Sequence, residues 1–201
     1  MKIIGITGRS GCGKSSVTKF LAEEGYPCID ADLIAREVML PGSPCLAQLQ
    51  AAFGCDILDE NGALRRRLLA DRAFATPEGT RTLTEITQPE ILHRIEQRLE
   101  QAKLEGAAYA FVDGAVIVGT PFEKRCDQLV LITAPYHTSV ERICARDGIA
   151  AEMARRRLDA QTPLDVLRQA ASIEIVNDGT AEQLESKVKA FLQALGREEY
   201  D

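Results

Sequence analysis

The stretch Gly8-Arg9-Ser10-Gly11-Cys12-Gly13-Lys14-Ser15 fits the spacing G-x-x-x-x-G-K-[ST], and its residue types suit the capture of phosphate. Glycines let the backbone curl until successive N–H groups converge on one point, and a helix starting directly behind such a loop adds its positive end. In that geometry Lys14 is expected to reach the β and γ phosphates of a nucleotide, and the Ser15 hydroxyl to hold Mg2+. The competing reading is a glycine-rich turn with a surface lysine. The flanks argue against it. Ile3, Ile4 and Ile6 form an apolar run that suits a buried strand, and Val17, Phe20 and Leu21 repeat at helical spacing before Gly25 stops the helix.

Carboxylates follow two further strand-like runs. Tyr26-Pro27-Cys28-Ile29 leads into Asp30-Ala31-Asp32, and Tyr109-Ala110-Phe111-Val112 leads into Asp113-Gly114. Ligands of a parallel α/β sheet gather at the C-terminal strand edge, so Asp30, Asp32 and Asp113 are all expected there. Asp113 resembles the strand-end aspartate that assists Mg2+ beside loops of this kind. Asp32 has the alternative of capping the short helix expected over Leu33 to Met39. Arg142 and Arg146 stand four residues apart and share a helix face. Their planar forks suit phosphoryl oxygens, against the alternative of a solvated helix surface. The runs Arg155-Arg156-Arg157 and Arg65-Arg66-Arg67 read as exposed faces.

Six cysteines, at 12, 28, 45, 55, 126 and 144, include no C-x-x-C pair and no zinc-ligand spacing, so reduced thiols are expected. Most read as small core residues; Cys12 alone lies beside Lys14 and a helix N-terminus, a setting that can favour a thiolate, with sensitivity to oxidation as the alternative to a core role. His93 and His137 have no acidic or thiol cluster around them and read as helix-surface residues.

These groups need a scaffold, and the order of elements supplies one. From Pro41 the pattern is helix after helix with no strand until residue 108, and Pro89 is expected to break or kink one helix near Gln88. We assign 41–106 to a helical insert that supplies walls for an acceptor. Leu129 to Thr133 is the next strand, followed over 136–171 by an arginine-rich helical hairpin with the form of a lid, its last helix capped by Thr162-Pro163. Ile173 to Val176 is the last strand. Leu184, Val188, Phe191, Leu192 and Leu195 then mark one face of a terminal helix. This order predicts a three-layer α/β P-loop NTPase fold with a five-stranded parallel sheet, its core formed by 1–40, 107–135 and 172–201.

Composition narrows the function classes. A chain of 201 residues is one domain or a domain with an insert. Its net charge of -6 excludes a broad nucleic-acid surface but not a nucleotide, which needs only local positive charge. Nothing approaches the roughly 18 uninterrupted apolar residues of a membrane span. With no basic and apolar leader, a cytoplasmic protein acting on small molecules is expected, as a monomer or small homo-oligomer.

Together, the Gly8 to Ser15 loop, Ile29-Asp30-Ala31-Asp32 with Arg36 four places on, Arg146-Asp147, Arg157 with Gln161 and Pro163, and Asn177-Asp178-Gly179 resemble the dephospho-coenzyme A kinase family over nearly the whole chain. The resemblance implies transfer of the γ-phosphoryl of ATP, with Mg2+, to the ribose 3′-hydroxyl of dephospho-coenzyme A. It implies Asp32 as base or orienter for that hydroxyl, with Lys14 and Arg146 completing the catalytic set and Asp30, Arg36 and Asp113 on the acceptor side. Around ATP it places Gly8, Gly11, Cys12, Gly13, Ser15, Ser16 and Arg142, with Asn177 and Gly179 near the adenine. Some positions depart from the family pattern. The segment Asp113-Gly114-Ala115-Val116-Ile117-Val118-Gly119 lacks the usual proline, aromatic and acid, Gln88-Pro89 replaces a His-Pro pair, and Arg9 stands where glycine is usual. The loop, insert and lid alone also fit a nucleoside or nucleoside-monophosphate kinase, or a nucleotide-binding relative with impaired catalysis. Asp59-Glu60-Asn61-Gly62 matches the D-x-x-G of GTPases but falls in the helical insert, where it reads as a turn.

Overall fold

The structure, a computed structural model, describes residues 1–114 and 117–197. Five strands, β1 (Lys2–Thr7), β2 (Cys28–Asp30), β3 (Tyr109–Asp113), β4 (Gln128–Thr133) and β5 (Ile173–Val176), form one sheet in the order β2-β3-β1-β4-β5. The first strand is therefore central, which explains its run of isoleucines. It pairs in parallel with β3, where Ile6 stands opposite Asp113, and with β4, where Ile6 stands opposite Val130. Ile4 and Ile6 face a core shared with Phe111, Val130 and Ile132. Helices α1 (Lys14–Glu23) and α9 (Ala181–Arg197) close that core through Val17, Phe20 and Leu21 and through Leu184, Val188, Phe191 and Leu195. The sequence periods of both helices thus mark the buried faces they predict.

The chain separates into two compact units, Asp30–Gln101 and the remainder. The first holds α2 (Ala31–Glu37), α3 (Pro44–Phe53), α4 (Arg66–Ala73) and most of α5 (Pro77–Leu104). Ser43 caps α3 by accepting from the Leu46 N–H at 3.0 Å, with Pro44 at the first helical position. Asp59 Oδ1 accepts from the N–H groups of Asn61 and Ala63, both at 2.9 Å. The Asp59 to Gly62 stretch is therefore a self-bonded turn under a Leu58–Leu64 bridge, as its place in the insert suggests. The arginines at 65, 66 and 67 are exposed.

The structure decides three local readings. Pro89 does not break its helix: α5 runs unbroken for 28 residues with the proline inside it. A proline removes one N–H and crowds the carbonyl four residues back, here that of Glu85, and the Cys45 thiol donates to the next carbonyl, Ile86 O, at 3.8 Å. Asp32 is not the cap of α2. That place belongs to Asp30, whose Oδ1 accepts from the Leu33 N–H at 2.8 Å, because the chain enters the helix at Ala31 and puts Asp32 in the first turn. The lid's last helix, α8 (Leu164–Ala170), starts behind Pro163 with no side-chain cap.

The lid hairpin consists of α6 (Tyr136–Asp147) and α7 (Ala151–Asp159), zipped by Val140, Ile143, Ala154 and Leu158. Gly148 ends α6 with φ of 66°, a left-handed turn that suits glycine. Among the described residues no helix is long and apolar enough to cross a membrane.

The buried Tyr109 hydroxyl donates to Leu195 O at 3.0 Å. The last four carbonyls of a helix have no partner inside it, so this bond ties β3 to the end of α9. Tyr109→Phe is expected to lower stability by about 1 kcal/mol, read as a reduced urea midpoint with an unchanged m-value.

Candidate nucleotide and phosphoryl-transfer site

The phosphate loop occupies the turn from β1 into α1. Gly13 adopts φ of 102° at the N-terminus of α1, and Gly11 adopts φ of 77°, both left-handed values that favour glycine. Added bulk would also collide. A Cβ at Gly11 would lie 2.5 Å from Ser139 O, and one at Gly13 would strike the Asn177 amide. Gly8 has similar crowding from Ile132 O. Ser15 and Ser16 lie exposed in the first turn of α1, and the Ser16 N–H donates to Gly13 O at 3.1 Å. The loop is a curl of left-handed glycines directly ahead of the α1 N-terminus.

Lys14 is fixed by charge. Register sets Asp113 beside Ile6, two residues before Gly8, and Lys14 Nζ lies 2.9 Å from Asp113 Oδ1, with only 20% and 15% of the two side chains exposed. Two residues nearly one hundred positions apart thus become an ion pair because β3 and β1 are sheet neighbours.

A second set of contacts holds the loop from its carbonyl side. Asn177, 5% exposed and directly behind β5, donates through Nδ2 to Cys12 O at 2.9 Å. Arg142 donates to Gly11 O at 3.3 Å and to Asn177 Oδ1 at 3.5 Å. Arg142 is therefore half-buried against the loop and not a solvated surface group. Gly179 is exposed two residues beyond Asn177.

Arg146 lies one turn further along α6. Its Nε and Nη2 donate to Asp147 Oδ1 and Oδ2 at 2.7 and 2.9 Å, and Arg157 Nη1 donates to Asp147 Oδ2 at 2.6 Å. The Arg146 guanidinium holds the Asp147 carboxyl below its ordinary range, with Arg157 adding to the effect. A carboxyl with a depressed pKa stays charged through neutral pH, so this cluster loosens only as pH falls through that lowered value. Arg157, expected on an exposed face, is half-exposed but paired. Arg155 and Arg156 are exposed.

In the other unit, β2 ends at Asp30. Asp32 and Arg36 are exposed at the start and end of α2. With Asp30 serving as cap, Asp32 is relieved of that role. In the divergent segment, Ala115 and Val116 lie outside the described residues, and Ile117 is fully buried.

Cys12 takes the core role and not that of a favoured thiolate. Its side chain is 2% exposed inside the core, and burial pushes its thiol up from the ordinary value despite the nearby Lys14 charge. Desolvation in apolar surroundings outweighs the opposing pull of the Lys14 backbone N–H and the Lys14 charge. All six cysteines are free thiols.

Sequence reasoning missed two contacts of the loop. Arg9 Nη2 donates to Leu158 O, and Ser10 exchanges two hydrogen bonds with Gln161, N–H to Oε1 at 2.9 Å and Nε2 to Oγ at 2.6 Å. The sequence signals were the arginine at a position where glycine is usual and Gln161, one of the residues that carry the family resemblance.

A parallel sheet with the glycine-rich loop on its first, central strand and an arginine-bearing helical hairpin after the fourth defines a P-loop kinase architecture. A family model described as dephospho-CoA kinase matches residues 2–183. A dephospho-CoA kinase of Corynebacterium glutamicum is 38% identical over 186 residues, 92% of this chain and 95% of that protein. A crystal structure from Thermus thermophilus superposes with a TM-score of 0.83 at 31% identity, covering 96% and 97% of the two chains. A dephospho-CoA kinase structure from Campylobacter jejuni, at 23% identity and a TM-score of 0.73, shares the fold over 99% of this chain and 100% of its own. The chain belongs to the dephospho-CoA kinase family.

Two outcomes check the loop. Gly13→Ala is expected to lower ATP affinity by at least about tenfold, since both backbone strain and the Asn177 amide oppose the added methyl, as titration calorimetry would read. Because a raised thiol pKa leaves less thiolate, Cys12 is expected to react with iodoacetamide at pH 8 more slowly than exposed Cys55, as site-resolved mass spectrometry would show.

Proposed function

We propose that the protein transfers the γ-phosphoryl group of ATP to the ribose 3′-hydroxyl of dephospho-coenzyme A, giving coenzyme A and ADP. The observation that carries this reading is the Lys14–Asp113 pair at the mouth of the phosphate loop, in a chain whose family shares that activity by name. An alcohol is a poor nucleophile. Transfer depends on holding it in line with the phosphorus and on balancing charge that spreads over the phosphoryl oxygens. Lys14 and the loop amides bind the β and γ phosphates. Arg146 meets the transferring group from the lid, while Arg142, Asn177 and Gly179 border the nucleotide. Asp32 accepts the hydroxyl proton late in transfer, and Asp30 and Arg36 lie close in sequence to it on the acceptor side. The helical block 41–106 forms acceptor walls and 136–171 the lid.

Hard oxygen donors suit Mg2+, which usually takes one or two carboxylates together with substrate phosphates and water. Ser15 and Asp113 offer such a set, and among the described residues no cluster of three or more His, Cys, Asp or Glu competes for it. When bound, Mg2+ would supply positive charge that offsets the charge of the phosphate oxygens.

Incubation with Mg-ATP and either dephospho-coenzyme A or a panel of nucleosides, with products identified by mass, is expected to give phosphorylation of dephospho-coenzyme A. Turnover confined to nucleosides would overturn the assignment. Asp32→Asn is expected to leave ATP affinity within about twofold while lowering kcat by about 10² or more, the usual contribution of a positioned base. Unchanged turnover in that variant would remove Asp32 from the chemistry.

A further inference from the structure

The two loop contacts that sequence reasoning missed join the phosphate loop to one end of the lid. Arg9 Nη2 donates to Leu158 O and lies 3.9 Å from Asp159 Oδ1, and Ser10 is doubly bonded to Gln161. Leu158 and Asp159 are the last two residues of α7. Leu158 O, in the last turn of α7, also accepts from the Gln161 N–H at 3.1 Å, so the guanidinium takes its second lone pair and meets the negative end of the dipole. The same end is tied to the start of α6, where the Tyr136 hydroxyl donates to Asp159 Oδ1 at 3.0 Å.

What this end carries gives the contact its meaning. Arg157 immediately precedes Leu158, and it bonds Asp147, which in turn takes both Nε and Nη2 of Arg146. A continuous series of contacts therefore runs from Arg9 in the loop, through the end of α7, to Arg157, Asp147 and Arg146. An arginine contributes to phosphoryl transfer only if its fork is held at the right place, because misplacement by about 1 Å can cost about 10²-fold.

We propose that Arg9 and Gln161 are positioning residues: they lash the phosphate loop to the C-terminal end of α7 and so fix the lid arginines, Arg157 and Arg146, relative to phosphates held by that loop. The inference rests on the reading of Arg146 given above. Loop and lid then move as one body at this end. The departure at position 9 is a structural gain, since a glycine there has no side chain with which to reach α7.

The test is a double-mutant cycle on the full chain with Mg-ATP and dephospho-coenzyme A, reading kcat, KM for ATP and the thermal midpoint. Arg9→Ala is expected to lower kcat about tenfold in the otherwise unchanged protein, but by less than about twofold in an Arg146→Ala background, because residues acting through one group are not additive. Arg9→Lys, which keeps a donor for Leu158 O, should recover most of the loss. Gln161→Ala should repeat the same non-additive pattern should Arg9→Ala fold poorly. A merely structural role would lower the midpoint or raise KM with equal effect in both backgrounds. Additive losses, or an unchanged kcat in Arg9→Ala and Gln161→Ala, would overturn the proposal while leaving the role of Arg146 standing. Full turnover in Arg146→Ala would remove that role and this inference with it.

Discussion

Everything at this site depends on the main-chain curl that three glycines build between β1 and α1, and on the groups that stop it from relaxing. Glycine permits the curl but does not enforce it, since the same freedom makes glycine entropically costly to order. Enforcement comes from behind. Asn177 and Arg142 occupy the carbonyl oxygens of Cys12 and Gly11, and the Cys12 N–H closes the turn onto Arg9 O at 3.2 Å. The Cys12 side chain adds an apolar anchor in the core. The sulfur is thus a packing group, which is why its thiol is pushed up and not down.

The charges follow the same logic of placement through neighbours. Lys14 is held by Asp113, which arrives from a strand nearly one hundred residues away in sequence but adjacent in the sheet. Arg146 is held by its own neighbour Asp147, which it shares with Arg157 from the second lid helix. In each case a carboxylate restricts a flexible cation. Long side chains lose considerable rotamer freedom when fixed, and that cost is met here by partners within the protein.

Much of this was legible in the chain. The isoleucines of β1, the spacing of Val17, Phe20 and Leu21, and the period of α9 determined the buried faces, because a helix or strand must hide its apolar side. The Ser43-Pro44 pair and the Asp59 turn were equally readable, being local hydrogen-bonding devices. Where local rules gave the wrong answer, a nearby competitor had won. Asp30 took the cap that Asp32 could have taken. Pro89 stayed within a helix, and the Cys45 thiol donates to a carbonyl of the turn preceding it.

The sequence by itself determined the glycine-rich loop, the strand and helix order and the list of candidate charges, since these depend on residue type, spacing and short-range periodicity. Only the tertiary structure decided which charges meet. That Arg9 reaches Leu158, that Asn177 backs Cys12 and that Cys12 is buried depend on which strands lie side by side and how the lid hairpin folds back. Contacts spanning more than 140 residues carry no local signature, because sheet order and desolvation are properties of the packed chain and not of any short stretch of it.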